Sequence, residues 1–583
     1  MTNKAIWGQI AHLNHARALH KRKEQFLVLY RSFLFRVVDL ESMSADADPI
    51  RLLGQLAALL AGVSYLFTFW VVFTPARFSK EFLWTMEHLL TETTMVVVGL
   101  FSVLNWDSNF PNKHDVLILA PLPVRTSTLF RAKLSSLITA LALSVLAVNI
   151  FSGLLWPFLF SSTNGGGFAG VARSLAAYWI TMLLAGLFML CCVLGVHGVA
   201  ALFLARQVFL RLSALLQTSA FLLFFGAFVL EPSLETRAAL ADPENQRLLA
   251  ALPSYWFLGL FQQLNGSMIP EFVPLARRAW EALAIAICIG VVSALIAYFR
   301  TMPKIVEQPD IVPHDRRSQH TIPFGSSLQT CVTLFSIHTL LRSPQHRGLL
   351  SFYLGTGFAI LLAYIKTPLE QGILLHGSRG DEVNVAFLTA SIWMICLAIL
   401  GVQIVSSMPH TLRANWIFRI TSTRRTLEYL SAVRCSLLVI ALAPAWLLLA
   451  ALFLIRWPTL QVAGHLVVLG FVGMIVIELS LFGLHKLPFT CSFLPGRSKV
   501  HVLFWSCLFV LLPPAAVRVE QRMLTSPSVY AGMIVLLAVI AVWARRRTST
   551  SVEEIEEMIF EEEYPPDILS LRLEAADAAY RRE

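Results

Sequence analysis

"LAAYWITMLLAGLFMLCCVLGVHGVAALFLA", residues Leu175 to Ala205, runs for 31 positions without an Asp, Glu, Lys or Arg. An α-helix rises 1.5 Å per residue, so about 20 apolar residues cross the ~30 Å hydrocarbon core of a bilayer. Within that layer every backbone amide needs a partner, and a helix finds all of them in its own segment. On either side of this stretch, eleven more mostly apolar runs complete a set of twelve spans: 52-74, 84-104, 134-160, 175-205, 213-230, 279-299, 348-366, 384-407, 431-455, 461-483, 501-517 and 529-545. The predicted fold class is an all-α polytopic membrane protein with about 12 transmembrane helices.

Composition agrees with that class. Charged residues are 14% of the 583 and apolar ones 56%, a balance that a soluble domain of this size could not spread over its surface. The net charge of +10 does not point to nucleic acid, because the basic residues are scattered among loops. Counted by alternate loops, roughly 34 of the 46 Lys and Arg fall on the side that holds both termini, the bias of a cytoplasmic face. No cleavable signal peptide is expected, since charged residues run through the segment ahead of Leu52. The eight cysteines lie mostly in or beside apolar spans and read as small packing residues.

Five regions follow. Residues 1-51 form a cytoplasmic N-terminal segment, in which Phe26, Leu29, Tyr30, Phe33, Val37 and Leu40 make one stripe of an amphipathic helix. Residues 52-299 hold a first six-helix half. Residues 300-347 are a proline-containing linker followed by a second amphipathic helix, with Leu328, Val332, Phe335 and Thr339 at helical spacing. Residues 348-545 hold a second six-helix half, and 546-583 an acidic cytoplasmic tail, which most often in such runs is simply solvated.

The order of parts suggests a tandem repeat of two parallel six-helix halves. "DVLILAPLPVRTSTLFRAKLSSLI" from Asp115 sits against "NWIFRITSTRRTLEYLSAVRCSLLVI" from Asn415, with Arg125 opposite Arg425 and Ala132-Lys133 near Ala432-Arg434. A substrate would pass between halves so related. They differ in that only the first has a long segment, Glu231 to Arg278, between its fifth and sixth spans.

The loop "NWDSNFPNKHDVLILAPLPVRTSTLFRAK" at 105-133 resembles the cytoplasmic loop between the second and third helices of type-2 ABC transporter permeases. The matching positions are Asp115, Leu117 to Leu119, Leu122-Pro123-Val124, Arg125 and Lys133, with Pro121 and Pro123 stopping the short helix. The resemblance implies an ATPase-coupling role for this loop and for Arg424 and Arg425 of the second half, where Ser422-Thr423-Arg424 replaces Leu-Pro-Val. It also implies an external helical segment, which "SYWFLGLFQQLNG" at 254-266 supplies, and a bacterial cytoplasmic (inner) membrane with both termini inside. The implied partners are ABC ATPase subunits and the lipid bilayer, with ATP and Mg held by the ATPase and no cofactor on this chain. The bland alternative is an ordinary basic loop obeying the positive-inside rule.

No Walker loop, H-E-x-x-H, C-x-x-C or G-x-S-x-G motif is present, and no residue is assigned catalysis or a metal. The remaining candidates are ionisable groups inside apolar spans: Glu87, His88 and Glu92, His197, His465 and Glu478. They read either as a polar patch in a translocation path or as interhelical hydrogen bonds that fix packing. Glu478, inside "GMIVIELSLF", has no partner nearby in the sequence. The leading expectation is the permease subunit of an ABC exporter. Its competitors are a non-transport scaffold, a membrane enzyme and a secondary transporter.

Overall fold

The computed structural model describes residues 23–34, positions within 57–69, 80–105, 118–161 except 120 and 123, 167–230 except 205, and 251–307 except 267 and 268. It continues with 323–370, 385–408, 426–482 except 457–459, 488–490, positions within 513–520, and 526–553. Regular structure among the described residues is helical throughout. Among the described residues, seven helices are long and apolar enough to cross a membrane: Thr126–Asn149, Phe168–Phe203, Phe272–Arg300, Phe387–Ser406, Thr426–Leu454, Val462–Ser480 and Pro527–Val552. On the last of these Val535, Leu536, Val539, Val542 and Trp543 are each more than half exposed, an apolar face that only lipid or another membrane helix can cover. The chain is an all-α membrane protein.

Two compact units divide it: Met1–His320 with Arg347–Leu397, and Thr321–His346 with Ala398–Glu583. The first contains α1 (residues 23–34), α2 (Lys80–Leu104), α3 (Thr126–Asn149), α4 (Ser152–Ser161), α5 (Phe168–Phe203), α6 (Arg206–Leu230), α7 (Pro253–Leu264) and α8 (Phe272–Glu307). It also takes in most of α10 (Pro344–Glu370) and the first part of α11 (Val385–Ser406). Its core gathers Leu83, Met86, Leu90, Tyr178, Met182, Phe257 and Phe261 between α2, α5 and α7.

The 134-160 span, read as one helix, is two. The chain breaks between α3 and α4, where the Ser64 hydroxyl accepts from the Phe151 and Ser152 amides at 3.2 and 3.1 Å. A side chain thus satisfies the donors that the break releases, as an apolar layer demands. At its far end α8 runs on through 300–307, positions assigned to the linker from sequence.

α7 is unusual for a segment between spans. Tyr255, Phe257, Leu258, Leu260 and Phe261 are all fully buried. Pro253 opens the helix at a position where a missing N–H costs nothing. Gly259 then lets it touch α8 backbone to backbone, since a Cβ there would sit 2.8 Å from the Ala276 nitrogen and 2.9 Å from the Phe272 oxygen. A similar close approach joins α5 and α8, where a Cβ on Gly290 would lie 2.8 Å from the Cys191 oxygen.

The second unit contains α9 (Ser327–Arg342), the end of α11, α12 (Thr426–Leu437), α13 (Ala443–Arg456), α14 (Leu460–Ser480) and α15 (Pro527–Glu553). A capping box opens α9: the Ser326 hydroxyl accepts from the Gln329 amide, and the Ser326 amide donates to Gln329 Oε1 at 2.8 Å. Gln329 Nε2 also donates to Ser431 of α12 at 2.7 Å. The apolar stripe expected of α9 overlaps its buried face only in part: Thr339 is buried, and Leu328 and Val332 are half-buried. Thr333, Ser336 and Leu340 are buried while Phe335 is 37% exposed. Small hydroxyl side chains let α9 approach α12 closely, which turns the bulkier residues outward. Between α12 and α13 a π-helical turn, Leu438–Leu442, interrupts the α ladder, and the Ala443 amide donates to the Leu438 oxygen.

Candidate functional site

The residues singled out from sequence fall in three places. The first is the turn before α3. Asp115, Pro123, Arg424 and Arg425 lie outside the described residues. Among the described positions of the turn, the Leu122 amide donates to the Leu119 oxygen at 3.2 Å and the Val124 amide to the Leu122 oxygen at 2.7 Å. Arg125 then stands exposed at the N-cap position of α3 in an extended conformation. Leu119 and Val124 pack beneath this turn with Phe33, Leu129 and Ala132, joined by Phe26, Leu29 and Tyr30 of α1. The Tyr30 hydroxyl donates to Thr139 at 2.9 Å. Two features read separately from the sequence, the amphipathic helix and the Leu-Pro-Val turn, are therefore one apolar body at the root of α3. Lys133 is buried there, its ammonium 5.7 Å from the centre of the Phe33 ring. Exposed on the same turn are Ile118, Pro121, Leu122 and Arg125.

The second place is a polar seam in the first unit. Glu87, Thr91, Thr94 and Val98 recur at helical spacing on α2, and all are at most 1% exposed. Gln262 Nε2 of α7 donates to Glu87 Oε2 at 2.7 Å. The adjacent His88 is hydrogen-bonded through Nε2 to Ser254 Oγ at 3.1 Å, and its ring lies 4.1 Å from that of Tyr255. Farther along the stripe, Asn149 Nδ2 donates to Thr94 Oγ1 at 3.0 Å, and the Tyr178 hydroxyl donates to Asn149 Oδ1 at 2.7 Å. Beside α7, Ser174 donates to Asn265 at 2.6 Å. Glu92 is buried on α2, and His197 of α5 is buried with its ring stacked 5.2 Å from Phe209.

The third place is in the second unit. Arg434 Nη2 of α12 donates to Glu478 Oε2 of α14 at 2.9 Å, with Nε 2.6 Å from Oε1. The Glu478 backbone oxygen in turn accepts from Thr548 of α15 at 3.1 Å. Elsewhere on α14, His465 Nδ1 lies 2.8 Å from Glu520 Oε1, both side chains buried. The Tyr530 hydroxyl donates to the neighbouring Gly464 oxygen at 2.9 Å.

Glu87, His88, His465 and Glu478 thus each bond across helices. The sequence reading missed their partners Gln262, Ser254, Glu520 and Arg434, and missed Asn149 and Tyr178 altogether. One signal was available: Ser254 and Gln262 stand eight residues apart in an apolar segment, hence on one helical face. Among the described residues no group of three or more His, Cys, Asp or Glu could hold a metal ion. No family model, curated protein or solved structure matches this chain.

Proposed function

We propose that the chain is the transmembrane permease subunit of a bacterial ABC exporter, driven by separate ATP-binding subunits. The observation that supports this most is the apolar body made by α1, the 118–125 turn and the first turns of α3. A subunit that docked on exposed Ile118, Leu122 and Arg125 would push on a rigid lever, and the push would enter the membrane along α3. ATP and Mg belong to the docked partner; this chain supplies the path and the lever. In this reading the twelve apolar stretches are twelve spans in two parallel six-helix halves, both termini face the cytoplasm, and α7 caps the first half from outside.

The test is purification with the candidate ATPase in mild detergent. Ile118→Asp combined with Arg125→Glu reverses the surface character without touching an apolar span. It should leave insertion intact while weakening ATPase association by at least about tenfold, as like-charge and desolvation penalties at a contact do. Unchanged association and unchanged stimulation of hydrolysis would return the turn to an ordinary basic loop.

A secondary transporter is the second reading, favoured by the buried carboxylate of Glu87 and by the break in helical regularity at Leu438–Leu442. Transport in vesicles driven by an ion gradient in the absence of ATP would select it.

A further inference from the structure

We propose that Glu87 binds one small monovalent cation, a proton or an alkali-metal ion, in the seam between α2 and α7. The site does not depend on the exporter reading. Glu87 is 0% exposed, and Gln262 Nε2, a neutral amide, is its hydrogen-bonding partner at 2.7 Å. The other carboxylate oxygen, Oε1, is equally buried and has no hydrogen-bond partner among the described residues. Nor does any described Lys or Arg form an ion pair with it. An ionised carboxylate in a low-dielectric interior is costly until a counter-charge or a proton neutralises it. An ionised Glu87 would carry an uncompensated charge, which a proton or a small metal cation would balance.

The surroundings suit such a ligand. Thr91 follows Glu87 one turn on along the same stripe, and its hydroxyl donates along the helix to the Glu87 oxygen, so its lone pairs remain for another partner, whereas Thr94 already accepts from Asn149. On α5, Thr181 Oγ1 is fully buried with no hydrogen-bond partner among the described residues, one turn beyond Tyr178. Neutral oxygens around a single carboxylate are the ligand set of a hard cation. The elements packed against α2 carry these ionisable groups: Lys80, Glu81, His88 and Glu92 on α2 itself, Arg173, Tyr178, Cys191, Cys192 and His197 on α5, and Tyr255 on α7, while α4 carries none. Arg173 lies by Gly266 beyond the end of α7 and forms no ion pair with Glu87 among the described residues. Arg131 and Lys133 stand in the early turns of α3, far along that helix from Asn149, and Arg206 and Arg211 in the early turns of α6.

The experiment uses the full-length protein in nanodiscs, with sodium replaced by choline in one series and pH varied in another. The readouts are the thermal unfolding midpoint and dicyclohexylcarbodiimide labelling of Glu87, located by peptide mass spectrometry. For an alkali ion, sodium raises the midpoint and, at ten times its dissociation constant, cuts labelling about tenfold at fixed pH. For a proton, the pH series moves both readouts and sodium moves neither. In both cases Glu87→Gln, which keeps an amide able to bond Gln262, should remain folded and lose the dependence. Should that variant fail to fold, wild-type labelling decides alone. Labelling that is flat in both series, or a Glu87→Gln midpoint that shifts as the wild type does, overturns the proposal. Either result would mean that a fixed partner, such as a buried water, holds the carboxylate.

Discussion

Arg434 and Glu478, 44 residues apart in sequence, form a two-contact ion pair between α12 and α14, with side chains only 12% and 6% exposed. Removing either partner leaves the other charge buried without its mate, which in protein interiors costs about 3–5 kcal/mol. Glu478→Ala and Arg434→Ala should each lower the unfolding midpoint in detergent sharply. The exchanged pair, Arg434→Glu with Glu478→Arg, should recover a substantial part. Equal loss in the exchanged protein would show that packing around the stems, not charge pairing, holds the two helices.

At Gly259 any side chain meets Leu275 Cβ and two backbone atoms of α8, none of which can swing aside. Gly259→Val should cost about 1–3 kcal/mol, the usual range for overpacking, and displace α7. Limited proteolysis in the segment 251–266 would report the displacement. A Gly259→Val protein as protease-resistant as the wild type would contradict the close packing of α7 on α8.

Tyr178→Phe deletes the hydroxyl that bonds Asn149 and leaves a buried carboxamide oxygen short of a donor. The expected loss is about 1–3 kcal/mol. Asn149→Ala, combined with Tyr178→Phe, should cost less than the two separate losses added together, because the partners share one hydrogen bond. Strict additivity in that double-mutant cycle would argue against the contact.

Orientation can be read from two exposed positions, Gln263 at the end of α7 and Ser127 at the start of α3. A membrane-impermeant thiol reagent should label Gln263→Cys in intact cells, and Ser127→Cys only after permeabilisation. Opposite labelling would invert the topology and remove the 118–125 turn from the reach of a cytoplasmic ATPase.

Phe33→Ala should loosen α1 from Leu129 and Ala132 at a cost of about 3–5 kcal/mol locally. Under the exporter reading, ATPase binding then persists while stimulated transport falls. A parallel loss of both would place α1 in the docking surface itself.

The membrane class was legible because hydropathy over a bilayer-length window is nearly sufficient to specify a buried helix. The α1 stripe was legible for a similar reason, since Phe26, Leu29, Tyr30 and Phe33 repeat at the helical period and do face the core. The stripe on α9 was legible only in part: Thr339 is buried as expected, but Thr333 and Ser336 bury their small hydroxyl side chains in preference to Phe335. Neither hydropathy nor period encodes how closely two backbones approach. Partner identity was illegible for the same reason: nothing local to Glu478 marks Arg434, and nothing local to Glu87 marks Gln262. Such pairs follow from which helices are neighbours, a property of the whole packing.

The π turn at Leu438–Leu442 has a consequence for aim. Arg434 and Trp446 both bond to α14, Trp446 through its indole nitrogen to the Leu466 oxygen at 2.9 Å, and the bonded positions are twelve residues apart on each helix. In an uninterrupted α-helix, at about 100° per residue, side chains twelve positions apart diverge by about 120°. One extra residue in a wide turn brings them back to within roughly 20° of each other. The turn behaves as an absorbed single-residue insertion that sets the rotational phase of everything beyond it. Deleting one residue within it would swing Trp446, and the outward surface of α13 with it, to a new bearing on the lipid.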